Sequence, residues 1–113
     1  MMLFDTHSGE LRDFTPLHKG KVSIYVCGPT VQSAPHIGHL RSALVYDLLV
    51  RWLSHTGHEV TLIRNVTDID DKVLEKAQEL GRNWWEVAFE NEQLFSADYH
   101  RLGLISPQLE PRA

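Results

Sequence analysis

Apolar residues alternate with polar ones in two short runs, and between those runs they recur at three- and four-residue spacing. From Lys21 to Gly28, KVSIYVCG sets Val22, Ile24 and Val26 against Ser23, Tyr25 and Cys27. Strand formers on both sides predict a strand covered on each face. EVTLIRNV repeats the pattern from Glu59 to Val66. Between them, Leu40, Ala43, Leu44 and Leu48 mark a helix that ends at Gly57, preceded by GPTVQSAP, whose glycine and two prolines forbid regular structure. Strand, loop, long helix and strand make a βαβ unit, with parallel strands and a right-handed crossover.

Further on, DDKVLEKAQELG reads as a short helix stopped by Gly81. Asn83 with Glu86 three residues later is a capping-box pattern. It opens a last helix carrying Trp84, Val87, Leu94 and Phe95 to about Leu102, before Gly103. MLFDT at the start is a weaker strand candidate. Two clear strands are too few for a finished doubly wound sheet, and LEPRA ends the chain without a closing strand. The expectation is therefore a single unit over residues 1–113 that is the amino-terminal part of something longer, with no repeat, low-complexity tract or linker inside it.

Composition narrows the class. With 113 residues, 42% hydrophobic and 23% charged, disorder and collagen-like architectures are excluded. The lone cysteine forms no internal disulfide, and MMLFDTHSGELRDF lacks the basic start and apolar run of a secretory signal, which points to a reducing cytoplasm. A membrane span is not expected, because the greasiest segment, SALVYDLLVRWLS, carries Asp47 and Arg51. A net charge of −4 and the lack of any Lys/Arg block exclude a broad electrostatic grip on a nucleic-acid backbone. An RNA partner would have to be held by other residues.

The chemistry concentrates in VCGPTVQSAPHIGHL. Ligands of open α/β sheets sit beyond the carboxyl ends of the strands, where a loop enters a helix with unpaired N–H groups. His36 and His39 fall about one turn apart at such a helix start, with Gly38 between them allowing close backbone approach. The site suits a polyphosphate. Taken alone, the same residues also fit close helix packing at Gly38, surface or capping histidines, or two ligands of an incomplete metal site. Cys27 alone fits a small buried strand-end residue. Thr67 fits a cap ahead of DIDDK, and Asp68, Asp70 and Asp71 fit either a metal cluster or complementation of a helix dipole.

YVCGPTV, HIGH, NVTDIDDK and LEPRA, in this order, resemble the amino-terminal catalytic region of the cysteinyl-tRNA synthetases, a family of class I aminoacyl-tRNA synthetases. The resemblance covers nearly the whole chain. It implies an α/β fold: the first part of a Rossmann-like catalytic domain, a parallel sheet with flanking helices, incomplete by itself. It implies ATP-dependent activation of L-cysteine to cysteinyl-adenylate, with Mg2+ accompanying ATP, and transfer to tRNA(Cys). By the same resemblance, Cys27 is a zinc ligand. His36, Gly38 and His39 bind ATP, with the two histidines catalytic, and Gly28, Thr30, Ser42, Asn65 and Thr67 surround the adenylate. His7, His18, His55, His58 and His100 fall outside the family's ligand positions and read as ordinary surface or partly buried histidines. The family's other zinc ligands and its KMSKS loop belong to later sequence than these residues, so the 113-residue chain is expected to be inactive by itself. Cysteine ligases of mycothiol synthesis share much of the pattern, although CGPTV and the full HIGH favour the synthetases. A different class of function also fits: a catalytically silent nucleotide-binding or interaction module that self-associates to cover exposed apolar sheet faces.

Overall fold

The computed structural model, which describes residues 1–113, contains β1 (Met2–Asp5), β2 (Glu10–Asp13), β3 (Lys21–Val26), α1 (Ile37–His55), β4 (Glu59–Arg64), α2 (Asp71–Leu80) and α3 (Trp84–Arg101). MLFDT is indeed extended, but as half of an antiparallel hairpin with β2 and not as part of the main sheet. The turn is held by the Asp5 carboxylate, which accepts from the His7 amide and from Arg12, each at 3.0 Å, while Gly9 takes the left-handed φ of +72° that the reversal needs. ELRD was not legible as a strand because only Leu11 is apolar.

The βαβ unit is as expected. β3 and β4 pair in parallel, Val22 against Val60 and Ile24 against Leu62, with α1 as the crossover. The expected cover on both faces of β3 is absent: Val22 and Val26 are buried, but Tyr25 is 63% exposed and Ser23 and Cys27 are open. The reason lies in where the later helices go. α2 and α3 build a second cluster around Val31, Val66, Val73, Ala88 and Phe95, past the strand ends, instead of covering the free face. The first cluster, Val26, Val50 and Leu62, lies under α1.

On α1 the buried positions are Asp47, Val50 and Leu53, whereas Leu44 and Leu48 of the apolar pattern are 49% and 67% exposed. The spacing pointed to the stripe through Leu44 and Leu48, and packing instead buries the one through Asp47, Val50 and Leu53. Asp70 caps α2 by accepting from the Lys72 amide at 2.8 Å, and Gly81 closes that helix at φ +62°. α3 starts at the expected place without the expected box. Asn83 makes no side-chain cap bond, and Glu86 faces Arg82 at 3.9 Å. Val87 and Phe95 are buried, while Leu94 is not.

LEPRA adds no strand to the two-stranded sheet, as expected, but it does bridge to it. Residues 108–113 run parallel beside β4, with bridges from Leu109 to Ile63 and from Arg112 to Val66. The Arg64 amide donates to the Leu109 carbonyl and the Val66 amide to that of Pro111. Pro111 has no N–H to return, so the segment is a ribbon with broken periodicity, and no alternation marks it in the sequence.

Two contacts set this geometry. At the carboxyl end of β3, Gly28 donates its amide to Asn65 Oδ1 at 2.8 Å, and a Cβ there would stand 1.5 Å from the Asn65 carbonyl oxygen. In the middle of α1, beside Val26 and Arg64, lies Asp47, 6% exposed and the only buried charged residue. It accepts from Arg51 Nε at 2.6 Å and from the Ile105 amide at 2.7 Å, while Arg51 also donates to the Gly103 carbonyl. Burial pushes the Asp47 carboxyl up, but the Arg51 hydrogen bond, the Ile105 amide and the Arg51 charge outweigh it and hold the group below its ordinary value. The clamp fixes the turn that returns α3 toward the sheet.

Gly28→Ala should destabilise the fold by about 3 kcal/mol or abolish it, since backbone and not a flexible side chain blocks the added methyl. Urea unfolding measures this, and a stability change under 1 kcal/mol, as roughly seen for a neutral surface change, would contradict the close approach. Asp47→Ala should cost about 1–3 kcal/mol, because it orphans the Ile105 amide and frees Arg51 from the turn. Asp47→Asn, which keeps an acceptor, should cost less. Because the folded carboxyl titrates below the unfolded one, its contribution is present above the unfolded value of about 3.9 and is lost as pH falls through the folded value. Unfolding of both variants across pH 2–6, compared with the parent, should therefore show less acid loss from this group.

Candidate functional site

The parallel ladder breaks after Val26 and Arg64 and resumes at Thr30 and Thr67. The Thr67 amide donates to the Pro29 carbonyl and the Val31 amide to the Thr67 carbonyl, with Thr30 bridging Thr67. Across the gap, Gly28 and Asn65 are locked together, and Asn65 Nδ2 donates to Thr67 Oγ1 at 3.2 Å. Thr67 is thus tied to its own strand end. The cap of α2 belongs to Asp70, so Thr67 does not serve as that helix's cap.

Cys27 sits at this break as an exposed free thiol, which removes the reading of a buried strand-end residue. A cleft of about 110 Å3 opens beside it, lined by Cys27, Gly28, His39 and Ser42 together with Arg64 and Tyr99. Four sequence-predicted residues therefore converge on one cleft. Thr30, Asn65 and Thr67 belong to the strand crossing and do not line it, and His36 and Gly38 lie on the helix start outside its lining.

His36 is the N-cap of α1. The Gly38 amide donates to His36 Nδ1 at 3.1 Å, and the His36 amide donates to His39 Nδ1 at 3.2 Å, so the two histidines form a reciprocal capping box. The rings stack with centroids 3.8 Å apart, and Phe95 packs edge-on against His39. Burial, followed by the charge of His36, lowers the pKa of His39. Gly38 makes room for the His36 ring, which a Cβ would approach to 2.9 Å, and close packing against another helix is not its role. No acidic residue occupies the first turn of α1, which leaves its positive end unneutralised.

Arg64 and Tyr99 are site residues that the sequence reading missed. The guanidinium lies 4.2 Å over the Tyr99 ring and pairs with Glu110 at 2.7 Å, and its Nε is buried without a partner. Burial pushes the Tyr99 phenol up, against the opposing Arg64 charge. No local signal joins a strand-end arginine to a tyrosine late in α3; only the fold does. Beyond this pair lies a larger cleft of about 500 Å3, lined by none of the sequence-predicted residues. Of the acidic triplet, Asp70 caps α2 and Asp71 stands in its first turn, but Asp68 pairs with Arg112 at 3.4 Å, so dipole complementation does not account for it. No three His, Cys, Asp or Glu side chains are grouped to hold a metal ion, so Cys27 is at most one ligand of a site completed elsewhere. No helix is long and apolar enough to cross a membrane.

Known proteins match over this same region. The chain is 58% identical over 113 residues to a cysteine–tRNA ligase of Renibacterium salmoninarum, covering 100% of this chain and 23% of that one. It is 59% identical over 118 aligned residues to one from Clavibacter michiganensis subsp. michiganensis, covering 100% of this chain and 24% of that one. The chain thus spans about a quarter of the length of the curated relatives it matches. A crystal structure of Mycobacterium tuberculosis methionyl-tRNA synthetase bound by methionyl-adenylate superposes with a TM-score of 0.71 at 20% identity, over 87% of this chain and 18% of that one, a likeness of fold. Residues 13–113 match the family described as tRNA synthetases class I (C) catalytic domain, and the chain belongs to that family.

Proposed function

We propose that this chain is the amino-terminal portion of the nucleotide-binding catalytic domain of a cysteine–tRNA ligase of the cytoplasm, acting on ATP with Mg2+, L-cysteine and tRNA(Cys). The observation that carries the reading is the identity of 58% to a cysteine–tRNA ligase across all 113 residues, the loop from Cys27 to His39 included. The geometry agrees with it. A cleft at the carboxyl ends of two parallel strands, next to an unneutralised helix N-terminus, is where an α/β sheet takes a nucleotide.

In the proposed reaction, a carboxylate oxygen of cysteine attacks the α-phosphorus of ATP. The bond from that phosphorus to the bridging oxygen breaks, and pyrophosphate leaves with the electron pair. The acyl group of the adenylate then passes to a tRNA hydroxyl and AMP leaves. His36 and His39 donate hydrogen bonds to the phosphate oxygens as charge builds up on them, and the N-terminus of α1 adds its field. Gly28, locked to Asn65, holds the backbone of the loop so that Cys27 and Ser42 face one cleft. Thr30 and Thr67 keep the crossing in register beside it. Cys27, exposed and unpaired, is the zinc ligand this chain brings to a site whose other ligands lie in the rest of the protein. Such a zinc would prefer the sulfur of cysteine over the hydroxyl of serine. The exposed apolar side chains of α1, among them Leu44, Leu48 and Trp52, fit cover by the rest of a longer protein.

In the longer protein, the double substitution His36→Ala with His39→Ala should reduce cysteine-dependent ATP–pyrophosphate exchange by at least about 100-fold, the scale of losing preorganised donors. Exchange within about threefold of the parent would remove the histidines from the chemistry. Cys27→Ser should lower the zinc content and reduce the ratio of kcat/KM for cysteine over serine by at least about tenfold. A protein that keeps both its zinc and its full preference would return Cys27 to a packing role.

A further inference from the structure

The reciprocal cap of α1 fixes more than a helix end. A backbone N–H donates to Nδ1 of His36 and another donates to Nδ1 of His39, so each Nδ1 must present a lone pair. A neutral imidazole has one ring proton, and only Nε2 is left to carry it. We infer that the capping box locks His36 and His39 together in the Nε2–H tautomer, so that the pair meets an anion as two stacked neutral donors and not as imidazolium.

Four features of the surroundings enforce the lock. Protonating either Nδ1 would set a donor against a backbone donor and break the bond that caps the helix. Two cations at a centroid separation of 3.8 Å, beside the positive end of α1, would also repel one another. The titratable groups sharing the cleft with His39 are Cys27, Arg64 and Tyr99, so no carboxylate is present there to favour an imidazolium, and Arg64 opposes one. Phe95, edge-on at 5.0 Å, keeps the His39 ring from turning its other nitrogen inward. No protein group accepts from either Nε2, which leaves both N–H groups available to a ligand. His36 and His39 are thus positioning residues for each other, and Gly38 is required between them because a side chain would strike the His36 ring at 2.9 Å. That the anion is a polyphosphate rests on the function proposed above; the tautomer lock does not.

Nitrogen-15 NMR of the labelled imidazole rings at pH 8 tests the inference in the protein itself. The expected result is an unprotonated Nδ1 and a protonated Nε2 in both rings. A protonated Nδ1 in either ring, or a rapidly exchanging mixture of tautomers, overturns it. Addition of inorganic tripolyphosphate should shift both Nε2 signals and leave Nδ1 unprotonated, whereas a second proton appearing on a ring as the anion binds overturns the neutral-donor claim. If tripolyphosphate moves neither Nε2 while the tautomers are as stated, the lock stands and the ATP reading of this loop fails. Two substitutions separate the roles. His36→Asn keeps a capping atom near the place of Nδ1 but cannot reach as far as Nε2, so it should hold the melting temperature within about 2 °C while weakening tripolyphosphate binding at least about fivefold. His36→Gln reaches as far as Nε2 but caps poorly, so it should lower the melting temperature by about 4 °C and keep more of the binding. Equal losses of both properties in both variants would contradict the division of labour between the two ring nitrogens.

Discussion

The close approach of Gly28 to Asn65 is the constraint on which the rest of the structure depends. Two parallel strands that stayed regular would carry their ladder straight through Cys27 and leave no break for a ligand. Here the Asn65 carbonyl occupies the space a Cβ would need, its side chain takes the Gly28 amide, and pairing resumes at Thr30 and Thr67. The break leaves Cys27 exposed at the strand end and starts the loop that delivers His36 to the head of α1. One missing methyl group thus decides where the cleft lies.

Around that point the fold is held by two small apolar clusters and several polar clamps. With 13 of 113 residues buried, the clusters are too small to orient every element by themselves, and the clamps do much of the orienting. Asp47 ties α1 to the Gly103–Ile105 turn, Arg64 ties β4 to Tyr99 and Glu110, and Arg112 bridges Asp68 and Glu92. The last two clamps involve residues of the 108–113 ribbon, and Glu92 and Glu110 line the larger cleft together with Arg64 and Tyr99. Stability and site geometry are coupled through these contacts.

The helix start shows the same economy. A capping box of Ser or Thr with Glu would satisfy the first amides of α1 equally well. Histidines in both places satisfy them with Nδ1 and still leave a second nitrogen free, farther from the backbone than the amide of a capping asparagine reaches. Local helix chemistry and ligand chemistry are served by opposite edges of the same rings.

The sequence by itself determined the parts whose physics is local. Alternation set β3 and β4, Asp70 and Gly81 bounded α2, helical spacing set α1, and the order of elements forced parallel strands. It also placed Cys27, Gly28, His39 and Ser42 near one another, because a strand end, a short loop and a helix start leave little freedom. What only the tertiary structure decided depends on partners distant in the chain. Which stripe of α1 is buried was settled by where the Gly103–Ile105 turn could meet Asp47, against the apolar count of Leu44 and Leu48. The ribbon at 108–113 carries no alternation, since its pairing runs through backbone groups, the carbonyls of Leu109 and Pro111 and the amides of Gln108 and Ala113, whatever the side chains. Arg64 and Tyr99 entered the cleft for the same reason: a cation over a ring has no spacing rule in sequence, and only the folded chain brings the Arg64 guanidinium to 4.2 Å from the centre of the Tyr99 ring.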